Sequence, residues 1–305
     1  MTIQRLITAF AVAGVTLAAS VIAPPATAAT CDLGPRAKCA KASLNWKVRA
    51  HGSLKRADFH KAKMRGADLR GADLTAADLS GADLRNADLS SAILERANLQ
   101  GAKLSDTDLT GVDLDKADLA KVDAEDANFQ GASLQKAALN NGDFSNANFY
   151  GSDLTGADLG GANQPPPPPP FSTAKPKLTT NLINTNFWGA TLTDANLTNA
   201  NLENANLYGV VATTPADFSG ALLYSADLSS GLLDGADFSQ AFMHASSIQL
   251  TAMNGADFTD ASLGSVIIIN SSFEGANFTG AIFPRAVWIN VTCPNGSIQS
   301  EPCAG

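Results

Sequence analysis

The chain has 305 residues, 45% of them hydrophobic and 16% charged, with a formal net charge of −8. A surplus of carboxylates repels phosphate, so no nucleic acid is expected as a partner. The three histidines (His51, His60 and His244) are scattered, and no GxSxG, phosphate-loop or HExxH pattern occurs, which leaves neither a catalytic residue nor a metal or cofactor site to nominate.

Residues 1–29 read as an export signal. Arg5 supplies the positive start, Leu6 to Ala23 the apolar stretch, and Ala26-Thr27-Ala28 a small-residue cleavage site, with cutting expected after Ala28 or Ala29. An uncleaved anchor is the competing reading, since the apolar run is near spanning length. Lipidation at Cys31 is another, although Ala-Ala-Thr before it is a poor match to a leucine-led lipoprotein box. Residues 30–51 follow as an N-terminal cap with a cysteine pair.

From 52 to 163 the chain repeats every five residues, as in Met64–Ser90, "MRGADLRGADLTAADLSGADLRNADLS". A helix would turn each successive Leu by about 140°, and a straight strand would flip it to the opposite face. Leucines can share one side only if the chain turns a corner between pentads. Repeated corners wind it into a solenoid that buries them. With Leu, Phe or Met as position i, and Ala124 the one exception, 22 pentads run in register from Gly52 to Gly161, with Ala dominant at i−2 and Asp or Asn at i−1. Each buried Leu or Phe contributes about 1.5–3 kcal/mol before chain entropy is subtracted.

Six prolines (Pro165–Pro170) then interrupt the pattern, and residues 164–179 read as a linker. A second array covers 180–285, slipping by one residue at Pro215. Either the two arrays stack as one coil with the linker ejected, or the linker separates two solenoids; stacking covers exposed edges and is preferred. Residues 286–305 form a C-terminal cap, with Trp288 at the next i position. A long solenoid holds its ends apart and a disulfide needs neighbouring Cα atoms, so the expected pairs are Cys31–Cys39 and Cys293–Cys303.

The A(D/N)LXX pattern, spread over about 215 residues, resembles the pentapeptide-repeat family. That resemblance implies an all-β fold, a quadrilateral parallel β-helix of about ten coils in two arrays. It also implies four pentads per coil, with i and i−2 inside. Residues 20 apart then lie above one another. One i−1 column alternates in charge (Lys63, Asp83, Lys103, Asp123), whereas Asp68, Asp88 and Asp108 stack in succession, a potential repulsion. Ala124 falls one coil below Phe144, whose ring could lean over the gap. The C-terminal tail resembles those of exported members.

For function, the expectation is an exported, non-enzymatic scaffold or macromolecule-binding protein of the envelope or medium. Its partner would be a protein or a cell-envelope polymer, met by the regular surface or by the basic stretch 29–65. The alternatives are a DNA-mimicking inhibitor or protector of DNA gyrase, suggested by family resemblance, and an unrecognised extracellular enzyme. One apolar patch stands out. Ile267 and Ile269 fall at outward positions and Val287 and Ile289 directly above them. Covered by the tail, the patch is structural; uncovered, it is a surface for a partner or a second copy.

Overall fold

The structure, a computed structural model, describes residues 31–45, 51–161 and 180–303. The export-like segment 1–29 and the linker 164–179 lie outside the described residues. From Ser53 to Ala138 each residue at i−1 pairs in parallel with the residue 20 positions later, as in Ser53 with Asp73 and Asp58 with Asp78. Four pentads therefore complete one coil, and every side of the coil is a parallel ladder one or a few residues wide.

A single pentad shows how the corner is made. The Ala72 N–H donates to the Leu69 carbonyl at 3.0 Å, closing a four-residue turn over Leu69–Ala72, and Gly71 inside it has φ 63°. Positive φ at the third residue is the mark of a type II turn. The same left-handed residue recurs at i+2 of every pentad from Arg56 to Gly156, whether or not it is glycine. Its N–H is taken by the next coil, Gly71 donating to the Ser90 carbonyl at 3.0 Å. The side strand is held on both flanks: Asp88 N–H donates to Ala67 and Leu69 N–H to Asp88. The five-residue period thus meets the hydrogen-bonding needs of the main chain as well as the packing of its leucines.

Inside, Leu or Phe at i and Ala at i−2 are buried along the coil. Phenylalanines stack where they follow one another, Phe129 on Phe149 at 4.6 Å and Phe149 on Phe187 at 5.1 Å between ring centroids. Phe144 fills its own coil: a Cβ on Gly142 would lie 2.5 Å from its ring, so that i−2 position has no room for the usual alanine. Its ring also meets Phe129 and Phe149 at 6.0 and 5.8 Å.

Two irregularities pass without breaking the coil. Across the linker, Asp143 pairs with Asn181, Asn148 with Asn186 and Asp158 with Asn196, so the second array continues the ladder of the first. Thr180 ties this joint, accepting the Asn141 N–H at 2.9 Å and donating to the Gly160 carbonyl at 3.0 Å. Near Pro215 the spacing rises from 20 (Thr191 with Val211) to 21 (Asn196 with Asp217) and returns to 20 at Asp217 with Asp237. The extra residue is taken up at one corner, where no side-chain register is disturbed.

The coil begins upstream of Gly52, since Lys38 already pairs with Asp58 and Ser43 with Lys63. Cys39 takes a buried i position there and bonds to Cys31 (Cα–Cα 5.1 Å). At the other end, β1 (Ser247–Gln249), β2 (Ile267–Ile269) and β3 (Val287–Ile289) form a three-stranded parallel sheet. Trp288 is buried against Phe273, Phe278 and Phe283. The chain then closes with an antiparallel pair, β4 (Val291–Thr292) and β5 (Ile298–Gln299), stapled by Cys293–Cys303 (Cα–Cα 5.5 Å). Cys293 is likewise buried, one coil beyond Phe273. Each staple thus anchors one sulfur in the core column.

Candidate binding face

The acidic residues at i−1 have a local task. Asp78 accepts the Ser80 N–H at 3.0 Å, Asp108 that of Thr110 at 3.0 Å, and Asn186 that of Trp188 at 3.2 Å. Aspartate and asparagine recur at this position because their short side chains satisfy the i+1 amide, which faces away from the ladder. Repulsion in the Asp68–Asp88 column is relieved by Arg70, which grips Asp68 at 2.9 Å and reaches Asp88 at 3.5 Å. The hydrogen bond from Arg70 holds Asp68 down at a pKa of about 2. Arg85 does the same for Asp83, again lowering its pKa. At Asp73 burial pushes the pKa up, but hydrogen bonds from Thr75 and Lys55 outweigh it and the net direction is down. These carboxylates are tuned to stay charged, which suits a cap better than a proton donor. Among the described residues no group of three His, Cys, Asp or Glu side chains is placed to hold a metal.

One side of the coil differs from the others. Its i−1 ladder runs Asp108, Asn128, Asn148, Asn186, Asn206, Asp227, Ser247, Ile267, Val287. From Asn128 to Ile289 the i−1 and i+1 positions of this side carry a single charge, Asp227. The predicted patch lies at its C-terminal end: Ile267, Val287 and Ile289 are 42, 46 and 47% exposed, and Ile269 is half-buried. The Cys293–Cys303 tail leaves these side chains in solvent.

Further along the same side stands a feature that the sequence reading passed over. Tyr150, Trp188 and Tyr208 occupy successive i+1 positions and are 42, 49 and 40% exposed. They meet edge to face, with centroids 5.5 and 5.8 Å apart. Beside them the amides form two ladders. Asn206 donates to Asn186 at 3.1 Å and Asn186 to Asn148 at 3.0 Å; at the opposite corner Asn204 donates to Asn184 at 3.2 Å and Asn184 to Asn146 at 3.0 Å. Between the aromatic and amide rows lies an open cleft of about 500 Å³, lined by Trp188, Asn204, Asn206, Tyr208, Ser225 and Asp227. The signal was present as the recurring "NFYG", "NFWG" and "NLYG", an aromatic at i+1 before glycine.

The pentapeptide-repeat pattern, described as "Pentapeptide repeats (8 copies)", matches residues 53–90, 92–131, 127–163, 180–211, 216–246 and 253–287, more than half of the chain. The chain belongs to the pentapeptide-repeat family. Among solved structures this pentapeptide-repeat protein is similar to HetL, a pentapeptide repeat protein involved in heterocyst differentiation regulation from the cyanobacterium Nostoc. The identity is 26% over 84% of this chain and 94% of that one, with a TM-score of 0.52. QnrB1, a plasmid-mediated fluoroquinolone resistance protein, matches at 20% identity over 77% and 89% of the two chains, with a TM-score of 0.32. A pentapeptide repeat protein from the Arabidopsis thaliana thylakoid lumen matches at 32% identity over 36% and 66%, with a TM-score of 0.15. No curated protein matches. The family and the parallel β-helix expected from the repeats are therefore those of this chain.

Proposed function

We propose that this pentapeptide-repeat protein is a non-enzymatic scaffold that binds another macromolecule, working outside the cytoplasm in the envelope or the medium. One observation carries the reading. The coil commits its recurrent carboxylates to capping its own main chain, while the side running from Asn128 to Ile289 carries one charge at i−1 and i+1 and holds the exposed rings of Tyr150, Trp188 and Tyr208 beside the Ile267, Val287 and Ile289 patch. Export is inferred from residues 1–29 and from the two cysteine pairs. A duplex-like surface is a weaker reading, because Arg36, Arg56, Arg96, Lys116 and Lys136 follow one corner of the coil and interrupt the acidic field.

Ile267, Val287 and Ile289 supply the protein-facing end, and a second copy of the chain is the partner they suit, since an isologous contact needs only a self-complementary apolar patch. Light-scattering mass of the purified chain tests this: a dimer that becomes monomeric in Val287→Asp/Ile289→Asp supports it. A monomer in both ends the dimer reading. Cell fractionation tests export, and an uncleaved cytoplasmic product would remove it.

A further inference from the structure

The cleft beside Trp188 brings together two kinds of side chain that meet in one ligand chemistry. Its aromatic row offers ring faces, which carry partial negative charge and attract the partially positive C–H groups of a sugar ring. Its amide rows offer hydrogen-bonding groups. Asn206 donates one amide N–H to Asn186 and its oxygen accepts the Tyr208 N–H at 3.1 Å, so its second N–H has no protein partner among the described residues. The Trp188 indole N–H and the Tyr208 hydroxyl are also unpartnered there. We propose that this side of the coil binds an extended neutral polysaccharide, with Trp188 stacking on a sugar ring, Tyr208 flanking it, and the asparagines meeting hydroxyl or acetamido groups. The proposal rests on the macromolecule-binding reading and gives that reading a ligand.

Three properties favour this occupant. Coils stack directly above one another, so the aromatic and amide rows run straight from coil to coil and can follow an extended chain. Charge points the same way: no Lys or Arg lines the cleft, and its one charge, Asp227, would repel a phosphate- or carboxylate-bearing polymer. An added peptide strand is disfavoured because the main chain here is already paired. Asn186 N–H donates to the Ala147 carbonyl at 3.0 Å and Phe187 N–H to Asn206 at 2.7 Å, which leaves no strand edge to extend.

The test uses the full chain, measuring retention on insoluble cellulose and chitin and indole emission during titration with cellohexaose and chitohexaose. At least one neutral polymer should retain the protein, with little change up to salt on the order of 1 M, since no ion pair is involved. Trp188→Ala should bind roughly tenfold more weakly, the scale of one lost stacking contact, and abolish the emission change. Tyr208→Ala should weaken binding less. Both side chains keep only about half of their surface exposed, so melting temperatures should fall by a few degrees at most, well short of unfolding the coil at the temperature of the assay. Absence of retention on both polymers would overturn the proposal. So would equal retention of Trp188→Ala, or a preference for anionic alginate or for a hexaproline peptide. Because the Val287/Ile289 variant is read by mass, a failed glycan site and a failed dimer contact are told apart.

Discussion

The two arrays wind the same coil and cover it differently. Residues 66–161 carry 7 Lys or Arg against 17 Asp or Glu, whereas residues 180–285 carry 1 against 9. In the first array charge is managed by pairing within and between pentads, as Arg70 does for Asp68 and Asp88 and Lys55 for Asp73 at 3.0 Å. In the second array amides take over along two adjacent sides. Asn181, Asn186 and Asn206 cap the same i+1 amides that aspartates cap elsewhere, and each donates to the coil before it. Inside, leucine dominates the first array, while rings stack through the second, Phe218 on Phe238 at 4.8 Å and Phe238 on Phe258 at 5.1 Å. The fold therefore rests mainly on a large apolar residue at i, to which most pentads add a short acceptor at i−1. Which acceptor is used decides whether the outside is charged or free to bind.

That contrast can be broken most forcefully in the core. Phe187→Ala removes a buried ring stacked at 5.1 Å on Phe149 and should cost about 3–5 kcal/mol, read as a lowered urea midpoint. Leu109→Ala in the first array should cost about 2–5 kcal/mol, toward the lower end if neighbouring leucines close the gap.

A swap of acceptors sharpens the comparison. Asn186→Asp keeps the cap on Trp188 but loses the donor to Asn148 and sets a carboxylate against that oxygen. A loss of about 1–2 kcal/mol in thermal melts is expected. The reverse change, Asp118→Asn, preserves the bond from Ala120 and removes a charge from an acidic surface, so it should stay within about 0.5 kcal/mol. Equal effects would show that the amide ladder has no share in stability.

The smallest effect belongs to the ion pair at Asp68. Its folded pKa, about 2, lies below the unfolded value of about 3.9, so its contribution is complete above the unfolded value and lost as pH falls through the folded one. Both partners face solvent, which keeps the contribution small. In Arg70→Ala the melting temperature should fall slightly at neutral pH and show a shallower acid decline between about pH 4 and pH 2. An unchanged acid profile would mean that Arg70 does not hold this carboxylate.

The amino-acid sequence by itself determined the coil. A five-residue period with a large apolar residue at i admits only a chain that turns between pentads, and this was legible in Met64–Ser90 without coordinates. The inward placement of Leu and Ala followed from the same repeat, and the pairing of cysteines followed from the separation of the ends. Tertiary structure decided the lateral neighbours. Asp68 and Asp88 look repulsive until Arg70 is seen between them. Tyr150 and Trp188, 38 residues apart, become adjacent only because the ladder resumes at Asn181 as though the linker were absent. The exposure of Ile267, Val287 and Ile289 turned on where a stapled tail lies. A period governs what one pentad does with its own five residues; an interruption or an inserted residue shifts which pentads stack, and contacts between coils depend on that register.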